Sequence, residues 1–311
     1  MRPAGRGFSA MLEGGIEVWR GGVHAWQCDQ MGHLNVRFYV AHAMEGLAGL
    51  AGALGMSQAF APRGAATLRV KEHHIRFLKE ARVGDPLNMS AGVLEMGEDE
   101  ARAVMLLAHS GEEAPSAIIQ TLVAHVTAAE GRRFPWPQSA RARADSLRVR
   151  IPDGLGPRSL KPGAEVGEPT LAEADSAGLI RYGGGAFGLE DCDVFGRAPA
   201  HKLMARLGDG AAHGIALMRS ALGEHTGFAV VEYRLTYFEP PRAGDRFAVR
   251  AGLVQAEPRR LGWSYWMFDA ESGRPLAAAR SVLVPFDLEA RRAMTLDDGA
   301  VARLKQQLIH F

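Results

Sequence analysis

Within one short stretch, Asp29-Gln30-Met31-Gly32-His33-Leu34-Asn35-Val36-Arg37-Phe38-Tyr39, the sequence gathers a carboxylate, an imidazole, an amide and a phenol around a glycine. Those types suit acid–base or nucleophilic work on a carbonyl group. A carboxylate attacks such a group directly or activates water to do so. Glycine lets a carbonyl approach the main chain, and free N–H groups at a helix N-terminus polarise its oxygen. Asp29 is the candidate acid, Gly32 and the His33 N–H are candidate oxyanion contacts, and Asn35 either caps the helix or orients water. Asp, Gly and Asn before a helix are equally what plain loop and capping chemistry selects, so residue types alone leave both readings open.

Such a loop needs a frame, and the sequence carries that frame twice. Cys28-Asp29-Gln30-Met31-Gly32 recurs as Cys192-Asp193-Val194-Phe195-Gly196, an offset of 164 residues. Residues 72–87 align with 232–247 at an offset of 160, with Gly84-Asp85 matching Gly244-Asp245, and that offset persists without gaps to Thr127/Asp287. One four-residue indel between helix and sheet reconciles the two. Each unit, 16–129 and 179–288, reads as a short strand, a loop holding the Asp, a long helix and several strands.

Residues 35–54 lack Pro and are apolar nearly all round, which predicts a helix surrounded by protein. Gly46, Gly49 and Gly52 predict close backbone approach to a neighbour. Strands are predicted at 68–78, 87–96, 101–109 and 117–126, with a turn at 83–86 and tight connections at 98–100 and 110–113. The last two strands of the second unit fall at 262–268 and 276–285. The fold class is therefore α+β, each unit one long helix against one curved antiparallel sheet.

Residues 1–130 form the first domain, 131–178 a basic, Pro-rich linker, 179–290 the second domain, and 291–311 a C-terminal helix. Residues 131–161 carry eight basic side chains against Asp145 and Asp153, the one charge asymmetry of the chain. The terminal helix is predicted to start at an N-cap Thr295 with Asp298 at N3, and to set Val301, Leu304 and Leu308 on one face.

Composition narrows the function classes. Lys plus Arg (36) balance Asp plus Glu (35), so no net field draws the molecule onto nucleic acid or anionic lipid. Two cysteines make no disulfide scaffold and show no zinc spacing, and a reducing cytoplasm fits them best. No apolar stretch reaches the length of a membrane span, and the start of the chain, with Arg2, Arg6 and Glu13, lacks an export signal's apolar core. The expectation is a soluble, unexported protein. No Gly-rich phosphate loop follows a strand, which leaves nucleotide hydrolysis and dinucleotide binding unsupported.

Asp-x-x-Gly-His-x-Asn-x-x-x-Tyr, followed by the helix and by Arg82-Val83-Gly84-Asp85, resembles the hotdog-fold acyl-CoA thioesterases of the 4-hydroxybenzoyl-CoA thioesterase type. The resemblance covers nearly all of unit one. Unit two keeps the frame but carries Arg197, Pro199 and Leu203 where unit one has His33, Asn35 and Tyr39. The whole chain thus resembles a double-hotdog protein, a covalently joined pseudo-dimer that could itself pair into a homodimer. The resemblance implies hydrolysis of an acyl thioester, carried on CoA or acyl carrier protein, in a cleft between the units, with Asp29 as nucleophile or general base. It implies no metal and no other cofactor. The second site reads as degenerate; the alternative is that Asp193 and Gly196 serve a second, altered one.

The same frame hosts hydratases and dehydratases, but no second His or Asp stands in their pattern. A non-catalytic acyl-CoA-binding module is the other rival, hinted at by the degenerate unit. Glu45, matched by Asp209, is a candidate base or supporting carboxylate, or simply a side chain reaching solvent or an Arg. Tyr39 is a supporting candidate. His73 and His74 are neighbours on a strand and face opposite ways, so they cannot share a metal; His74 is the one that could face the cleft. Cys28 and Cys192 read as buried small side chains, and Trp263, Tyr265, Trp266 and Phe268 as core and interface, the alternative being that some line an acyl pocket. Arg132 and Arg133 either meet CoA phosphates or are solvated.

Overall fold

The computed structural model describes residues 12–111, 115–222 and 225–311. Arg2, Arg6 and the 112–113 part of the anticipated turn lie outside them. The chain divides into two compact units, Met1–Pro157 and Arg158–Phe311.

Unit one runs β1 (Ile16–Gly22), α1 (Val36–Ala53), β2 (Ala66–Phe77), β3 (Pro86–Met96), β4 (Glu100–His109), β5 (Pro115–Thr127) and α2 (Gln138–Ser146). Its sheet has the order β1-β3-β4-β5-β2, antiparallel throughout. The register slips at Glu17/Trp19, Val70/Glu72 and Val93/Glu95. Such bulges bend a strand and raise its twist, which lets the sheet curve round α1.

Strand burial in unit one is nearly continuous, because both faces of the sheet are covered. Met89 and Met105 lie under α1, while Val104, Leu106 and Ile118 pack outside with Leu12 and Val149. Alternation is therefore weak in these strands, as in any sheet buried on both sides.

The glycines of α1 separate into two kinds. A Cβ on Gly46 would stand 2.6 Å from Met89 Sδ, and one on Gly49 would stand 2.7 Å from the Val18 carbonyl oxygen. Helix and sheet touch there through glycine. A Cβ on Gly52 would meet nothing within 4 Å, so the close approach expected for all three holds for two. The helix is not surrounded on every side either. Arg37, Glu45, Ala48 and Gly49 form an exposed stripe at helical spacing, a correction that residue polarity concealed because two of the four are small.

Unit two runs α3 (Leu171–Ser176), β6 (Ile180–Ala186), α4 (Ala200–Gly208), α5 (Ala211–Leu222), β7 (Thr226–Tyr237), β8 (Arg246–Glu257), β9 (Arg260–Asp269), β10 (Pro275–Asp287), the two-residue β11 (Arg292–Ala293) and α6 (Asp298–Lys305). Its sheet order is β7-β10-β9-β8-β6, with β11 on β10. Slips at Arg181/Gly183 and Leu253/Gln255 reproduce those of unit one at the same two offsets. The long helix, continuous in unit one, is here broken into α4 and α5 at Asp209-Gly210.

The linker expected at 131–178 is instead shared between the units. Residues 131–157 complete unit one: the Trp136 N–H donates to Glu98 O, α2 follows, and Val93 pairs with the 147–149 segment. Unit two repeats this. The Leu296 N–H donates to Pro258 O, α6 follows, and Leu253 pairs with Leu308. The basic stretch and the terminal helix are one repeated element, disguised because its exposed face is rich in Arg in one copy only. The α6 N-cap is Asp297, whose carboxylate accepts from the Ala300 N–H; Thr295 Oγ1 accepts instead from Arg259.

Two substitutions test the helix–sheet contact. Gly52→Ala should gain about 0.5–1 kcal/mol through helix propensity, with open space for the methyl group. Gly49→Ala should lose about 1–3 kcal/mol, because a backbone carbonyl occupies that place. Urea unfolding of both variants checks the opposite signs.

Candidate active site

The Asp29 loop is a tight hairpin closed by main-chain pairing of Cys28 with Leu34. At its tip the Gly32 N–H donates to Asp29 O at 3.0 Å, and Gly32 takes φ +77°, which favours glycine. Asp29 Oδ1 accepts from the Met31 N–H at 2.8 Å and from the His33 N–H at 3.1 Å. The Leu34 N–H reaches Ala81 O, His33 pairs with Arg82, and Asp85 Oδ2 accepts from the Arg82 N–H. The Gly84-Asp85 turn is thus the mould against which the hairpin sets.

The Gly32 and His33 N–H groups are therefore not the oxyanion donors that the sequence suggested. Both are spent inside the loop, one on Asp29 O and one on Asp29 Oδ1. In the stretch from Cys28 to Phe38, the N–H groups with no hydrogen bond among the described residues are those of Gln30 and Val36. Val36 opens α1, where the helix dipole is positive. Asp29 Oδ2 likewise has no partner among the described residues, and the side chain is exposed. Nothing lies within 4 Å of a Cβ placed on Gly32, so the outer face of the turn is open.

Asn35 is the N-cap of α1: its Oδ1 accepts from the Arg37 N–H. The His33 ring nitrogen Nε2 lies 3.1 Å from Glu80 Oε2. Tyr39 is buried, edge-on to Phe77, with its hydroxyl 3.4 Å from Ser116 Oγ, and burial pushes its pKa up. That is a core position, away from the loop's open face. His73 and His74 are both buried in β2. Cys28 and Cys192 are half-buried rather than buried; burial first, then neighbouring aspartates, pushes both thiols up, the opposite of a nucleophile's need. Arg133 grips Asp99 with two hydrogen bonds of 2.8 Å and lies 3.0 Å from Glu100, so it is committed within unit one. Arg132 is exposed beside Glu130.

Sequence reading missed one constellation. Glu45 Oε2 lies 2.9 Å from His42 Nδ1, His42 is buried under Trp19 with ring centroids 4.3 Å apart, and its Nε2 lies 3.4 Å from Gln27 Nε2. The i,i+3 spacing of His42 and Glu45 on a helix was the available signal. In unit two the same three places hold Asp191, Arg206 and Asp209. Arg206 bonds Asp191 at 2.6 Å and Asp209 at 3.3 Å, and Lys202 adds a further cation. An amide, an imidazole and a carboxylate have become a closed ion network.

Asp193 repeats the loop bonds: its Oδ1 accepts from Phe195 and Arg197 N–H at 2.8 and 3.1 Å. Gly196 repeats the left-handed turn at φ +71°. The anchoring is therefore common to both units and does not by itself mark a reaction centre.

With this geometry in hand, a family model described as the thioesterase-like superfamily matches residues 23–144 and again 188–304. The chain belongs to that superfamily. Both matched stretches include the hairpin, the helical segment and four strands of the sheet and reach into the repeated tail element, and membership assigns the chain as a thioester hydrolase. No functionally curated protein matches the sequence. Among solved structures, a 12:0-ACP thioesterase from Umbellularia californica is similar over 88% of this chain and 94% of that one, at 13% identity and a TM-score of 0.67. An acyl-ACP thioesterase from Bacteroides thetaiotaomicron covers 87% and 98%, at 9% identity and a TM-score of 0.62. At such identities the likeness shows the tandem hotdog fold. Among the described residues, no helix is long and apolar enough to cross a membrane.

The unit-two network yields a pH test. Burial opposes ionisation of Asp191, but the Gly188 N–H, Arg206 and Lys202 outweigh it and hold its carboxyl below the usual range. A depressed carboxyl stabilises the fold above its unfolded pKa and loses that contribution as pH falls through the folded value. Asp191→Asn should cost about 1–3 kcal/mol at neutral pH, the gap to wild type narrowing towards about pH 3. Urea midpoints across that range check it.

Proposed function

We propose that unit one hydrolyses an acyl thioester at the Asp29 loop, releasing a carboxylate and a free thiol. The observation that carries this reading is the state of the Asp29 carboxylate: one oxygen is fixed by two main-chain N–H groups, and the other is free on an open turn. Fixing Oδ1 sets the direction in which Oδ2 presents its lone pairs, so the reactive oxygen is oriented before a ligand arrives. Oδ2 either adds to the thioester carbonyl, expelling thiolate to leave an anhydride that water cleaves, or takes a proton from the water that adds. The Val36 N–H at the head of α1 is the donor suited to the developing oxyanion.

Unit two supports the frame without the same outfit. Pro199 stands at the α4 N-cap where Asn35 caps α1, and Arg197 stands where His33 does. Asp193 then serves as a turn-former. Glu45 stands exposed and paired with His42, a positioning arrangement for the helix rather than a reacting group.

The carrier is addressed by substrate. The two similar structures are named for thioesters of acyl carrier protein, whereas the motif resembles enzymes acting on CoA esters. Matched acyl chains on both carriers, followed by thiol release, give the comparison.

Asp29→Asn keeps an oxygen at Oδ1 for the two N–H groups and should fold normally, yet lose at least about 100-fold in kcat. Asp193→Asn should keep wild-type turnover, and Glu45→Gln should change it by less than about ten-fold. Full activity of Asp29→Asn, or collapse of activity in Glu45→Gln alone, would overturn the assignment. A single turnover in ¹⁸O-water identifies the covalent route when water opens the anhydride at the Asp29 carbonyl: solvent oxygen then enters the enzyme's carboxylate, which direct water activation never labels.

A further inference from the structure

The outer face of the unit-two sheet is open where that of unit one is filled. In unit one, β2 and β5 set His74 directly opposite Gln120, and Val104, Leu106 and Ile118 beside them are covered by Leu12 and Val149. In unit two the same register positions are Arg234 opposite Arg280, with Ser264, Trp266 and Ala278 beside them. There the face forms the floor of a cavity of about 710 Å³. That lies inside the range of small-molecule sites, about 300–1,000 Å³.

Like charges directly opposite each other across an antiparallel pair destabilise it. A sheet that needed only to fold had His and Gln available at these positions, as unit one shows. Arg234 donates to the Ala164 carbonyl. Arg280 donates to an oxygen of Phe311, the last residue of the sequence, at 3.3 Å. Partial burial, then the Arg234 charge facing it, lowers the Arg280 pKa from its ordinary value. Lys161 adds a third cation to the cavity lining. The acids that share the lining are Glu165, Glu168 and Glu173, the last holding the Thr170 N–H and hydroxyl at 2.7 and 2.9 Å. Part of the wall is apolar: Trp266 lies edge-on to Phe311, centroids 5.8 Å apart, and opposite Ala278.

We propose that this cavity binds an amphipathic organic anion, its carboxylate or phosphate head group between Arg234 and Arg280 and its apolar body against Trp266 and Phe311. Two forked guanidiniums suit an oxyanion with several acceptor oxygens. The site lies wholly within unit two and stands whether or not Asp29 is the reacting acid.

Calorimetric titration of the full chain with octyl phosphate, octanoate and octanol, each below its aggregation concentration, tests it. The anions should bind saturably at one site, with octanol at least ten-fold weaker. Octanoate equal to octyl phosphate assigns the head group as either anion, and octanoate clearly weaker assigns it as phosphate. Arg280→Gln, at a partly buried position that opens on the cavity, should keep the wild-type melting curve and weaken anion binding at least ten-fold, while Arg280→Lys should retain most of it. No saturable anion binding, affinity unmoved by Arg280→Gln, or octanol binding as tightly as the anions would each overturn the proposal. Running the same titrations on Asp29→Asn, where anion affinity should be unchanged, keeps this outcome apart from that of the hydrolysis assay.

Discussion

Each unit hangs the entrance to its helix on one side-chain oxygen. Asp29 and Asp193 each hold two main-chain N–H groups of an exposed hairpin tip, which fixes the turn from within. The consequence runs outwards in both directions. The hairpin sets the position at which the chain enters the helix, and in unit one the helix meets the sheet through Gly46 and Gly49 with no room for side chains. A shift at the hairpin would therefore be transmitted into a contact that cannot yield. The same constraint explains why an aspartate survives in the unit that lacks the rest of the outfit, and why its presence alone says little about chemistry.

The units share backbone and differ in what they do with charge. Gln27, His42 and Glu45 have become Asp191, Arg206 and Asp209, so a set with one carboxylate has become two carboxylates bracketing a guanidinium. A partly buried network of that kind fixes geometry more than it adds stability, since desolvating the ions offsets much of their attraction. Trp19, which covers His42, has its counterpart in Gly183, where a pocket of about 390 Å³ opens beside Arg206 and Asp209. Bulk was removed where charge was introduced. Duplication thus left one copy with a compact helix flank carrying one carboxylate and the other with a solvated network of several charges.

The repeat, the strands and the helix of unit one were legible because hydrophobic content and turn residues are local signals; Gly84 and Gly244 mark the same turn by the same backbone need. Three things were not. The break at Asp209-Gly210 is a packing outcome, since Gly210 sits where a Cβ would strike the Tyr182 carbonyl oxygen at 2.1 Å. The tail element was hidden by composition: Ala140 and Ala144 in α2 answer to Ala300 and Leu304 in α6, a buried pattern drowned by the arginines of one copy. The spent N–H groups at Gly32 and His33 could not be read at all, because a sequence names donors without saying which acceptor reaches them first. The candidate acid was legible as a residue type, and the bonds that orient it were not.

Far from the loop, the two copies differ most on their outer sheet faces. A β-strand presents alternate residues to opposite sides, so one copy of a duplicated sheet can change its outer face without disturbing the face beneath the helix. Unit one spent that freedom on apolar packing, with Leu12 and Val149 closing over Val104, Leu106 and Ile118. Unit two keeps an apolar cluster at one end, where Ala174, Leu179, Trp266, Phe268 and Ala278 meet, and sets Arg234 and Arg280 next to it. Stability alone gives no reason to place two guanidiniums in register beside such a cluster, because filling the cavity with leucine-sized side chains would bury more apolar surface and remove the repulsion. A ligand that brings its own negative charge and its own apolar surface removes both costs at once, which is why the pair and the cluster are better understood together than apart.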